Sequence, residues 1–339
     1  MHRMKRSGFV HCLCFGLLLP PLACRAADAT LPQCAALEDR EARLKCYDSI
    51  ARPAPAASEE TGKVAAPEGY LTETWNLGAT SKSLEITDIR PHRPTYILFV
   101  RWSDNVNQQP SSPAPGNSAT APLDLDANEL KFQLSFKSEL VSRETFESFG
   151  LDRLRFWFAY TQQSQLQLYN SSDSRPFRET DYEPEFILTY STANPGSGLK
   201  LVNLGVVHQS NGRPEPGSRS WERVYLQGGW EWGHWSLLAR GWWSFDKQDN
   251  PDIDDYVGRA DAVIRWDSED RSHMFSLLLR HNLKLDPGRG YLQLDWRPIK
   301  LSRSVGMHLQ LTSGYGESLI DYNHRQSTVG IGLSIIDWK

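Results

Sequence analysis

A histidine, a serine and a glutamate stand where they could act as a nucleophilic relay. His208 and Ser210 lie two residues apart in KLVNLGVVHQS, and Glu222 follows in SRSWERVY. A serine hydroxyl becomes a useful nucleophile when an imidazole takes its proton. A carboxylate on the far ring nitrogen then fixes the tautomer and stabilises the imidazolium. That is the chemistry of acyl transfer. The rival reading is a group of rim residues at the headgroup level of a membrane, where His, Ser and Glu are common.

The faces these residues occupy are unusual for polar side chains. Alternate residues of a strand point to opposite sides. His208 and Ser210 continue the row Val202, Leu204, Val206, and Glu222 shares its face with Ser220, Val224 and Leu226. If the two segments are consecutive strands of one hairpin, His208 and Glu222 are cross-strand neighbours on an apolar wall.

The rest of the chain must supply that wall. Twelve segments alternate apolar and polar residues: 95–103, 130–141, 152–168, 182–193, 198–210, 219–231, 234–245, 256–267, 272–280, 290–297, 303–313 and 326–338. Long polar connections such as DKQDNPDIDD alternate with short ones such as EWGH. An even strand number, two-residue alternation and alternating loop lengths together predict an all-β fold, a twelve-stranded antiparallel transmembrane β-barrel. The competitor is a soluble β-sandwich. In 152–168, Leu154, Phe156, Phe158 and Tyr160 share one face, and Arg153, Arg155, Trp157, Thr161 and Gln163 the other. Inward arginines suit a polar lumen better than a dry sandwich core.

Composition narrows the classes further. The mean hydropathy of -0.50 excludes a helical membrane protein, and a net charge of -4 offers no basic footprint for nucleic acid. Residues 1–26 read as a secretory signal peptide, with an apolar run too short for a membrane anchor. Cys34 and Cys46 remain after its removal, which predicts one disulfide in a short helical segment, 27–50. Residues 51–94 read as a Pro/Ala-rich linker and lead-in, and 95–339 as the barrel.

HQSNGR (208–213), SRSWER (218–223), YTQQSQLQLYNSSDSRPFRETDYEP (160–184) and GYGESLIDYN (314–323) resemble the signature blocks of the outer-membrane phospholipase A family. The resemblance runs from about residue 95 to the C-terminus. It implies a barrel in the bacterial outer membrane that hydrolyses phospholipid acyl esters on its lipid-facing wall. Ser210 would be the nucleophile and His208 the general base. The family's third position, commonly Asn, falls on Glu222. The resemblance also implies Ca2+, with contacts at Ser174, Arg213 and Ser218. A guanidinium has no acceptor, so Arg213 would contribute its main-chain carbonyl. Asp173, Glu179 and Asp181 are acidic alternatives nearby, and Gly212 could present its N–H to an oxyanion. Gln162 lies in the lipid-facing row, where an unpaired amide is costly. The family places a Gln there at the interface of a calcium-promoted homodimer that is monomeric at rest; a rim position or a headgroup contact are the alternatives. The rival functions are a non-catalytic barrel, such as a small pore, and a soluble esterase, the latter disfavoured by the lack of a GxSxG elbow.

Overall fold

The structure, a computed structural model, describes residues 30–51, 69–78, 84–141, 143–172, 177–192 and 198–335. The signal peptide, residues 52–68 and 79–83 of the linker and lead-in, Asp173 and Ser174 therefore lie outside the described residues.

An N-terminal unit contains helices α1 (Leu31–Ala35) and α2 (Arg40–Ala51). Thr30 and Gln33 form a reciprocal capping box at the start of α1, and Pro32 occupies the first turn, where a missing N–H costs nothing. A Cys34–Cys46 disulfide joins the two helices.

The second unit carries two short helices, α3 (Tyr70–Thr74) and α4 (Arg143–Ser148), and twelve long strands. The strands are β1 (Tyr96–Ser103), β2 (Asn128–Val141), β3 (Leu154–Leu166), β4 (Phe177–Ser191), β5 (Leu199–Ser210) and β6 (Ser220–Trp232). They continue as β7 (Trp235–Asp246), β8 (Ala260–Asp267), β9 (Met274–His281), β10 (Gly290–Arg297), β11 (Val305–Tyr315) and β12 (Arg325–Ile335). Each pairs antiparallel with its neighbours, and β12 returns to β1 through pairs such as Thr328↔Ser103 and Ser334↔Tyr96. The ring is closed, so no strand edge is left to satisfy.

Most strands begin within a few residues of the positions that alternation predicts. One exception is β4, which starts at Phe177 rather than at 182. The RETD run at 178–181 has the composition of a loop, but its Arg178, Glu179 and Asp181 are buried in the interior. Arg178 donates to Glu129 and Asp321 there. Arg153 is the opposite case. It precedes β3, is exposed and donates to the Tyr190 hydroxyl, so only Arg155 of the expected pair faces inward.

Burial is inverted relative to a water-soluble fold. Leu204, Val206, Leu226, Trp243, Leu311 and Ile331 are exposed, while Lys131, Glu139, Arg155, Asn203 and Arg223 are buried. Exposed apolar surface on this scale needs lipid around it. The sandwich reading fails on that observation.

The lumen is filled from both ends. At the short-turn end, residues 69–78 and 84–95 enter the ring. Leu71 and Trp75 join a buried cluster with Trp157, Ile187, Leu201 and Tyr225. The Leu71 N–H donates to Glu231, His92 meets Glu185 and Arg93 meets Glu183. Lys137 rests its ammonium 3.5 Å from the centre of the Trp75 ring, a cation–π contact. At the long-loop end, residues 316–324 fold inward. Glu317 accepts from Arg101 at 2.5 Å and Lys131 at 3.0 Å, and Asp321 accepts from Arg178 and Asn107. Burial alone would raise the Glu317 carboxyl; Arg101 and Lys131 beside it overcome that and hold it at about 2. A cavity of about 210 Å³ remains between the two insertions. A pore would need an open lumen, and this one is packed with side chains.

Candidate active site

Strands β5 and β6 form one hairpin, and their ladder sets His208 directly opposite Glu222 and Ser210 opposite Ser220. Period two does the rest. His208, Ser210 and Glu222 face outward with Leu204, Val206, Val224 and Leu226, and Val207 and Gln209 face inward. Gln209 fixes the hairpin from inside, since its carbonyl oxygen accepts from Trp221 Nε1 at 2.9 Å and from Arg223 at 3.0 Å.

On the wall, His208 Nδ1 lies 2.5 Å from Glu222 Oε1, and His208 Nε2 lies 2.8 Å from Ser210 Oγ. An ionised carboxylate can only accept, so Nδ1 carries the proton and Nε2 is left to accept from the serine hydroxyl. That is the tautomer a general base requires. The side chains stay open, with His208 42% and Glu222 28% exposed. A substrate approaching from the lipid phase can reach all three.

The turn after β5 brings Gly212 into the left-handed region at φ 62°. A Cβ there would sit 3.4 Å from the Tyr182 ring, and Tyr182 is itself the cross-strand partner of Ser210 on β4. A side chain at this position would press on the Tyr182 ring and strain the backbone, and glycine avoids both.

The residues expected at a cation site divide. Ser218 lies on the same loop; its hydroxyl donates to Asp249 Oδ2 at 2.7 Å, and Ser220 donates to the same oxygen at 3.1 Å. Arg213 sends its guanidinium to the Arg178 carbonyl and towards Glu179, which leaves only its main-chain carbonyl for a cation. Ser174 is outside the described residues. Glu179 and Asp181 are buried and face the interior, where they accept from Asn211 and from the Leu319 N–H. They do not reach the wall, so the acidic alternatives at these two positions are not supported. Among the described residues no cluster of three or more His, Cys, Asp or Glu side chains is placed to hold a metal. The Ser218 and Ser220 hydroxyls and the Asp249 carboxylate gather oxygen donors at one point, a chemistry that fits a hard cation such as calcium. Sequence reasoning missed Asp249. It is one of several acids in DKQDNPDIDD, and only the fold shows which of them meets Ser218.

Gln162 sits on the outward row two strands from Ser210, through the pairs Gln162↔Tyr182 and Tyr182↔Ser210. Its amide is not bare. It accepts from Tyr160 at 3.1 Å and donates to Ser164 at 3.3 Å. The cost of an unpaired amide therefore does not by itself demand a partner subunit.

Comparison with known proteins converges on one family. A family model described as Phospholipase A1 matches residues 71–335. A Neisseria meningitidis serogroup B protein is 36% identical over 98% of this chain and 97% of its own length. The solved outer membrane phospholipase A of Escherichia coli superposes with a TM-score of 0.64 at 32% identity, covering 75% of this chain and 93% of that one. An outer membrane phospholipase dimer of Salmonella typhi with bound calcium gives 0.64 at 31% identity, over 74% and 93%.

Proposed function

The chain belongs to the phospholipase A1 family of ester hydrolases in the bacterial outer membrane, and on that premise we propose that it cleaves the sn-1 and sn-2 acyl esters of phospholipids on its outer wall, as a calcium-dependent dimer. The observation that carries this reading is the imidazole of His208, held between Glu222 and Ser210 on the lipid-facing side.

A phospholipid beside the barrel would lay its acyl chains along Leu204, Val206, Val224 and Leu226, with its ester at the level of Ser210. Ser210 Oγ attacks the ester carbonyl carbon while His208 Nε2 takes the hydroxyl proton. Glu222 keeps Nδ1–H oriented and stabilises the imidazolium. Its negative charge adds electrostatic stabilisation that the neutral Asn common in relatives cannot. His208 then gives the proton to the departing glycerol oxygen, and the lysophospholipid leaves. Water, deprotonated by His208, attacks the acyl-Ser210 ester and releases the fatty acid.

The Ser218 hydroxyl, the Arg213 carbonyl and Ser174 would hold calcium, with Asp249 beside Ser218. Bound there, the ion supplies positive charge for the oxyanion. The Gly212 N–H supplies a neutral donor for the same oxygen. The calcium-bound dimer of the Salmonella typhi relative supports both the metal and the dimer. Two apolar walls facing each other, with Gln162 on each, would complete the acyl-chain grooves. Activity would then rise when damage brings phospholipid to the outer leaflet.

The test is fatty-acid release from phospholipid–detergent mixed micelles by the refolded chain, with and without a calcium chelator, beside Ser210→Ala. Equal release by wild type and Ser210→Ala sinks the enzyme reading. Equal release with chelator sinks the calcium reading alone.

A further inference from the structure

We infer that Asn211 and Glu179 form a clamp that positions Ser210 and the turn after it, and that this clamp continues to the loop 316–324. The inference rests on the reading of Ser210 as nucleophile.

The β5–β6 ladder ends at Ser210↔Ser220, so hydrogen bonds of the sheet do not fix the loop 211–219. That loop holds Gly212, Pro214, Pro216 and Gly217, and its two prolines have no N–H to give. Side chains tie it down instead: Ser218 donates to Asp249, Arg219 to the Asn117 carbonyl, and Asn211 joins both ends of the loop at once. Asn211, 4% exposed, follows the nucleophile directly. Its Nδ2 donates to Glu179 Oε1 at 2.9 Å and to the Gly217 carbonyl at 2.8 Å. Its Oδ1 accepts from the N–H of Arg219 at 3.0 Å and of Arg213 at 3.3 Å. An asparagine amide has two donor hydrogens and two acceptor lone pairs, and all four are in use. The main-chain N–H of Asn211 also reaches the Arg219 carbonyl at 3.0 Å.

Glu179 anchors this knot. It is 2% exposed and lies on the neighbouring strand β4. Its Oε1 accepts not only from Asn211 but also from the Ile320 N–H at 3.2 Å, and its Oε2 lies 3.5 Å from Arg213 Nη1. A single carboxylate therefore joins the turn that carries Ser210 to a loop inserted from the β11–β12 connection. Asn211 and Glu179 are buried behind the wall, so both act through the placement of Ser210 Oγ and the Gly212 N–H. Displacing reacting groups by about 1 Å costs roughly 100-fold in rate, so a clamp of this kind shows in turnover rather than in binding.

The test uses the full refolded chain and two readouts, mixed-micelle hydrolysis and amide hydrogen exchange at Arg213 and Arg219. Asn211→Ala is expected to lower kcat about 100-fold with KM within about twofold, and to speed exchange at both amides by about tenfold. Glu179→Ala should lower kcat less, about tenfold, and Glu179→Gln, which keeps the acceptor for Asn211 and Ile320, should recover most of that loss. Heat-modifiable gel mobility reports folding in each case. Wild-type kcat in Asn211→Ala, or unchanged exchange at both amides, overturns the clamp. If Asn211→Ala does not fold, the Glu179 pair decides, and equal loss in Glu179→Ala and Glu179→Gln overturns it. Should wild type itself release no fatty acid, the enzyme reading falls, while the exchange rates still decide whether the clamp exists.

Discussion

Among the described residues, three histidines of this barrel sit against carboxylates, one on the wall and two in the lumen. His208 meets Glu222 at 2.5 Å, His92 meets Glu185 at 2.6 Å and His308 meets Asp295 at 3.0 Å. By distance alone they are the same motif. The lumen pairs are buried, and in each the other ring nitrogen, Nδ1, finds no hydrogen-bond partner. On the wall the other nitrogen meets a serine hydroxyl, and the pair is open to lipid. A histidine–carboxylate contact is therefore no signature of catalysis. The third partner and the route for substrate make it one.

That contrast can be broken in four ways. The largest effect belongs to Ser210→Ala, which should lower turnover by roughly 10⁴-fold or more in an acyl-release assay. Glu222→Ala should follow, at about 10²- to 10⁴-fold. Glu222→Gln separates two explanations for that loss, because its carbonyl oxygen can still accept from Nδ1. A small loss would mean that orientation is what matters, and a loss as large as alanine's would mean that charge is.

The third test moves to the interior. The Glu317 carboxyl is held at about 2, and Asp321 is likewise held low, because burial is outweighed by Arg178 beside it. A carboxyl depressed in the folded state stabilises above its ordinary range and loses that contribution as pH falls through its folded value. The loop 316–324 should therefore stay latched above about pH 4.5 and loosen as pH approaches 2. Limited pepsin digestion across that window should show cleavage within the loop rising as pH drops, and a flat profile would refute the latch. The smallest effect on chemistry is expected for His92→Ala. Turnover should stay within about twofold, while stability to denaturant falls by about 1–3 kcal/mol through the lost buried contact to Glu185. A large drop in turnover there would erase the distinction between wall and lumen.

Much of this was legible in the chain because a barrel strand writes its geometry into every second residue. The facing of His208, Ser210 and Glu222 follows from period two and one hairpin, and the structure places them as that pattern requires. What was not legible depends on partners far away in sequence. The RETD run at 178–181 looks like a loop until Glu129 and Asp321 are seen to pair with Arg178. Residues 69–95 look like a lead-in until Leu71 is found packed among Trp157, Leu201 and Tyr225. Asp249 and Asn211 belong to the same class, because loop contacts have no period to reveal them.

Residues 69–95 precede every barrel strand, yet their partners Glu183, Glu185 and Glu231 are made later. The part of the barrel unit that emerges first thus has to wait for its surroundings. Covalent attachment to β1 keeps it at an effective concentration in the millimolar range beside the closing ring, so its docking is an intramolecular step that needs those later strands in place. Trp75 supplies a built-in clock for that step. Its indole comes to rest against the Lys137 ammonium only when the segment is seated, and stopped-flow fluorescence of a chain keeping Trp75 as its sole tryptophan would time the seating separately from strand insertion.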